Sequence, residues 1–137
     1  MNRSHTQIQH TADAGISAVA PTLEDLFEEC ALGMFGLMYD FEGTTAEVTL
    51  QVTADGATRE ELLVNWLSEL LSISERDDLA FCEFEMINLS DDRLEGTARG
   101  LPMVEVELKG TPIKAVTYHQ LRISHDRDWE ATVIFDV

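Results

Sequence analysis

The sequence predicts an α+β domain: two helices packed on a mainly antiparallel sheet, in one layered unit spanning residues 1–137. Three observations predict it. Two stretches, around Leu23 to Met38 and Leu62 to Leu71, carry apolar residues at three- and four-residue spacing, the period of a helix with one buried face. Most of the remainder alternates apolar and polar residues or forms short apolar runs between turn residues, the pattern of strands. The strands also cluster in sequence instead of alternating with helices, which favours antiparallel pairing with the helices on one face. At 137 residues and 45% hydrophobic content, the chain suits a single domain with a real core.

A short polar leader, residues 1–6, precedes a first strand that begins near Gln7 and runs into His10-Thr11-Ala12-Asp13. Ala14 to Ala20 is a second strand. Thr22 is placed to cap a helix whose first turn holds Glu24 and Asp25, where acidic groups suit the positive end of the helix dipole. Leu23, Leu26, Phe27, Cys30, Ala31, Met34 and Met38 form its apolar stripe, and it should end near Tyr39-Asp40. Gly33 and Gly36 would let another element pack closely.

Ala46 to Val52 alternates as a half-buried strand, with Val48, Leu50 and Val52 on one face. After the Asp55-Gly56 turn, Thr58 and Glu61 have the spacing of a capping box. The second helix then carries Leu62, Leu63, Trp66, Leu67, Leu70 and Leu71 to about Ser74, with Trp66 a core anchor. Leu79 to Leu89 and Arg93 to Leu101 form a hairpin about Asp91-Asp92. Val104, Val106 and Leu108 alternate with Glu105 and Glu107 as a further strand, and Gly110-Thr111-Pro112 breaks the chain. Lys114 to Ser124 reads as one strand, Asp126-Arg127-Asp128 as a turn, and Trp129 to Val137 as the last strand.

Net charge is −17, from 26 acidic and 9 basic residues. Phosphates need Lys and Arg to displace their counterions, so direct nucleic-acid binding is disfavoured, and a basic protein partner or a bound cation is favoured. No apolar run is long enough to span a bilayer, and the N-terminus lacks the apolar stretch of a signal peptide. Cys30 and Cys82, both in apolar surroundings, suit buried reduced thiols and a cytoplasmic setting.

The last strand closes on Asp136 and the carboxyl group of Val137, and a second carboxylate, Asp13, lies near the other end of the chain. If the first and last strands are neighbours, these oxygens converge as ligands for a hard cation. Asp13 with His10 and His119 would make an open zinc site, ranked below the all-oxygen site, and structural hydrogen bonding suits the two histidines better. His5 and His125 look like surface residues. Lys114 is placed to pair with acids or to meet a phosphate. No glycine fingerprint for a dinucleotide or P-loop is present, and no Ser or Cys flanks a histidine as a nucleophile.

The blocks H-T-A-D-A-G (10–15), T-L-E-D-L-F-E-E-C-A (22–31), N-W-L-S-E-L-L (65–71), K-A-V-T-Y-H (114–119) and W-E-A-T-V-I-F-D-V (129–137) together resemble the archease family, in the right order and over nearly the whole chain. The resemblance implies a protein that is not an enzyme. It implies an activator of an RtcB-type RNA ligase, promoting guanylylation and turnover in tRNA splicing and RNA repair. It also implies a divalent cation, Ca²⁺ foremost and Mg²⁺ as the alternative, held by Asp13, Asp136 and Val137, with His10, Lys114 and His119 in supporting or partner-facing positions. Two other classes remain open at this point: a metal-dependent hydrolase using Asp13, Asp136, His10 and His119, and a chaperone-like interaction module.

Overall fold

The computed structural model describes residues 3–9 and 13–137, with Gln9 and Asp13 described by their backbone alone. Its elements in chain order are β1 (Ser4–Gln9), β2 (Asp13–Ala20), α1 (Leu23–Met38), β3 (Tyr39–Asp40), β4 (Val48–Asp55), α2 (Arg59–Asp77), β5 (Leu79–Leu89), β6 (Arg93–Pro102), β7 (Glu107–Leu108), β8 (Ala115–Val116), β9 (Arg122–His125) and β10 (Trp129–Asp136). The α+β class and the antiparallel pairing stand as the sequence predicts. The strands divide, however, between two principal sheets. One runs β1-β2-β10, with β8 and β9 sharing the far edge of β10; the other runs β4-β6-β5.

Both helices touch both sheets, and so form a layer between them. In α1, Phe35 packs edge-on against Phe81 of β5, with ring centroids 5.6 Å apart, and stacks on Phe84 at 5.9 Å. Two residues earlier, a Cβ on Gly33 would sit 3.1 Å from both Ile16 of β2 and the His5 ring of β1. Gly33 therefore allows the close packing expected of it. Gly36 does not, since no atom of the described residues lies within 4 Å of its added Cβ. In α2, Trp66 is fully buried and its indole N–H donates to the Phe27 carbonyl at 3.1 Å, tying the helices together. Each such large side chain contributes about 2 kcal/mol by leaving water.

The helix starts follow from their caps. Thr22 Oγ1 accepts from the Asp25 N–H, and Thr58 Oγ1 from the Glu61 N–H, both at 3.1 Å. The reciprocal bond of the capping box shifts by one residue: Glu61 Oε1 accepts from the Ala57 N–H at 3.0 Å. α2 runs three residues past Ser74 and closes on Asp78 in the left-handed region, φ 53°.

Four sequence expectations need correction. The polar leader is partly strand, since β1 begins at Ser4; the expected continuation through His10-Thr11-Ala12 lies outside the described residues. Lys114 to Ser124 is not one strand but β8 and β9 around a tight turn, where Gln120 takes φ 54°. The Val104–Leu108 alternation is mostly a 3₁₀ turn followed by the two-residue β7, because its only partner among the described residues is the equally short β3. Val106 is buried there, but Val104 is 93% and Leu108 65% exposed. Cys82 is only partly buried; Cys30 is fully buried, and burial pushes its thiol up to about 12. No helix among the described residues is long and apolar enough to cross a membrane.

Candidate functional site

The pairing of β2 with β10 is unbroken over eight residue pairs, from Trp129 opposite Ala20 to Asp136 opposite Asp13. The two aspartates singled out in the sequence, far apart along the chain, thus face each other across adjacent strands, with Cα atoms about 5 Å apart. β10 is internal to its sheet, so the site sits at the end of the sheet and not on its side edge.

Two devices hold this end together. The first is Gly15, opposite Ile134. A Cβ there would lie 2.8 Å from both Ile134 Cδ1 and the Val133 carbonyl oxygen, so the strands approach closely only because that atom is missing. The second is the segment Lys114–Thr117. The Lys114 N–H donates to the Asp136 carbonyl at 2.7 Å, and Thr117 donates to the Ile134 carbonyl twice, through its N–H at 3.1 Å and its hydroxyl at 2.9 Å. The Thr117 hydroxyl oxygen also accepts the His119 N–H at 3.2 Å, shaping the turn that follows.

Asp136 is exposed, and the side chain of Val137 packs against the core. Lys114 is therefore beside the site, and its backbone fixes Asp136. His119 is exposed on the neighbouring turn, where its N–H bonds to Thr117. His10 lies outside the described residues. Among the side chains described, no group of three or more His, Cys, Asp or Glu is placed to hold a metal ion; those of Asp13 and His10 are not in that set. The donor chemistry at the sheet end suits a hard divalent cation, which takes carboxylate oxygens.

Of the other two histidines, His125 is exposed as expected and His5 only partly so. His5 Nδ1 lies 2.7 Å from Glu29 Oε1, and the His125 ring stacks on Trp129 at 4.0 Å. Sequence reasoning passed over Gly15 and Thr117 as site-forming residues. Their one signal was membership in the blocks H-T-A-D-A-G and K-A-V-T-Y-H.

A profile of the Archease protein family matches residues 5–137. The chain belongs to the archease family. The Protein archease of Methanosarcina barkeri is 35% identical to it, over 98% of this chain and 97% of that one. The solution structure of Methanobacterium thermoautotrophicum Protein 1598 superposes with a TM-score of 0.75 at 32% identity, covering 98% of this chain and 99% of that one. A Thermotoga maritima archease, described as a possible chaperone, shares the fold with a TM-score of 0.67 at 21% identity, covering 96% of each chain. The archease blocks at the two ends of the chain are those that β2, β8 and β10 bring to one place.

Proposed function

We propose that this archease activates an RtcB-type RNA ligase by direct protein–protein contact, acting through a divalent cation, Ca²⁺ foremost, at Asp13, Asp136 and Val137. The observation that carries the reading is the register that sets Asp13 opposite Asp136 in a member of this family. A bound cation supplies neutralisation of charge developing on a phosphate during nucleotidyl transfer. The chain's own residues hold the ligands in place: Gly15 lets the strands close, Lys114 and Thr117 pin the end of β10, and the packed side chain of Val137 anchors the residue after Asp136. The acidic surface suits a basic ligase face.

The test is guanylylation and multiple-turnover ligation by the purified ligase, with wild-type protein, Asp13→Asn, Asp136→Asn, and a form extended beyond Val137. All three changes should abolish stimulation while leaving the thermal unfolding midpoint within a few degrees, and calorimetry should show loss of calcium binding. Full stimulation by all three would sink the proposal. A second reading, an interaction module, is favoured by exposed Val104 and Leu108. It predicts that Val104→Asp with Leu108→Asp removes the effect and that the aspartate changes do not.

A further inference from the structure

Positive charge is scarce in this chain and unevenly spread. Between Glu107 and Asp126 lie eighteen residues without one Asp or Glu, in a chain holding 26 of them. This stretch carries Lys109, Lys114 and Arg122, a net of +3 with His119 and His125 neutral, whereas the rest of the chain sums to −20. Arg127 follows immediately after Asp126. The overall −17 that argues against nucleic acid is an average over two opposite regions.

The fold lays the stretch from Lys114 onward along one strand edge, whereas Lys109 stays by the end of α1, its N–H donating to the Met38 carbonyl at 2.8 Å. β8 pairs with Phe135 and Asp136, β9 with Trp129 to Thr132, so both run along the same edge of β10. From Asp136 to Trp129 the edge measures about 24 Å, a reach of several nucleotides, with Arg127 in the turn just beyond. Lys114, Arg122 and Arg127 are exposed and form no ion pair among the described residues, whereas Arg3, Arg76 and Arg99 are each paired. Arg122 lines a shallow recess of about 160 Å³ together with Ser17, Ser124, Thr132 and Glu130. Between the two strands, the Leu121 N–H donates to the Tyr118 carbonyl at 3.1 Å, closing a turn that leaves Tyr118 57% exposed.

We infer that this edge binds a single-stranded polynucleotide, its phosphates meeting Lys114, Arg122 and Arg127 and a base stacking on Tyr118. Cations that track a backbone beside an exposed aromatic ring are what sequence-tolerant single-strand binding requires. An acidic peptide would satisfy the same cations but offers no flat π face to Tyr118. Asp126, Asp128, Glu130 and Asp136 flank these cations on the edge itself, and the rest of the surface is more acidic still, so the strand is held to the cations alone and binding is weak and strongly salt-dependent. The inference does not depend on the ligase reading, since its test uses the free protein.

The test is fluorescence anisotropy with a labelled single-stranded oligouridylate of about twelve nucleotides at low ionic strength. Wild-type protein should bind, with a log–log salt slope of about −2 for three phosphate contacts. Lys114→Glu combined with Arg122→Glu should weaken binding more than tenfold and flatten the slope. Tyr118→Ala should cost roughly five-fold or more with the slope unchanged. Arg93→Glu, on the other sheet, should bind as wild type, and unfolding midpoints should confirm that each variant is folded. The inference is overturned by a wild type that does not bind, by strip variants that bind normally, or by polyglutamate that displaces the RNA at equal charge concentration.

Discussion

Glu105 shows how single side chains answer to their neighbours. A hydrogen bond with Glu47 raises its carboxyl above the ordinary carboxylate value, with slight desolvation and the charge of Glu47 acting in the same direction. A raised acid holds its proton more tightly in the folded state than in the unfolded one. Its stabilising contribution is therefore complete below the ordinary value and is lost as pH rises through the shifted one. Glu105→Gln should make the protein more resistant to urea than wild type at pH 7, with the gap closing near pH 4 and below, at roughly the ordinary carboxylate value. An equal gap at both values would show that the two carboxylates do not interact. Residue identity alone misleads at the candidate site. His119 attracts attention by its chemistry yet is exposed, while Thr117, chemically unassuming, makes the bonds that hold Asp136's strand. Sequence supplied Asp13 and Asp136 as candidates. Their meeting depends on eight paired residues, a property of register that no local pattern encodes.

Among the elements, those governed by local physics were legible. α1 and α2 start where Thr22 and Thr58 cap them, and the β5–β6 hairpin turns about Asp91 and Asp92. Those governed by distant partners were not. Lys114 to Ser124 alternates well enough for one strand, but Gln120 adopts a left-handed conformation that non-glycine residues rarely take. Val104 and Leu108 alternate as a strand does, yet both side chains are exposed. β1 is the most instructive case, because side chains fasten it and not pairing alone. Arg3 meets Glu28 at 2.8 Å and Glu29 at 2.9 Å, and His5 also meets Glu29, which is only 6% exposed. Glu28 in turn accepts the Met86 N–H of β5 at 2.8 Å. The cluster is partly buried and Arg3 keeps Glu28 when Glu29 is lost, so removing Glu29 costs about 1.5–3 kcal/mol, the range for a hydrogen bond to a charged group. Glu29→Ala should therefore accelerate amide exchange across Ser4–Gln9 by at least tenfold and spare β4 and β6. Unchanged exchange in β1 would mean that strand pairing alone retains it.

At the scale of the whole molecule, −17 on 137 residues sets a self-repulsion that the few ion pairs do not offset. The Debye length shrinks from about 30 Å at 0.01 M salt to about 8 Å at 0.15 M, so the repulsion is screened over that range. The unfolding midpoint should rise with added sodium chloride, and a falling midpoint would mean that attractive pairs such as the Arg3 cluster dominate. The placement of β10 reaches further. It fills the gap beside β2, yet the residues it pairs with there were synthesised more than a hundred positions earlier. At ribosomal speeds of about 5–20 residues per second, β2 waits several seconds with one side open. The two aspartates thus meet only after β10 has docked, and a partner that recognises them together recognises only a chain whose sheet has already closed.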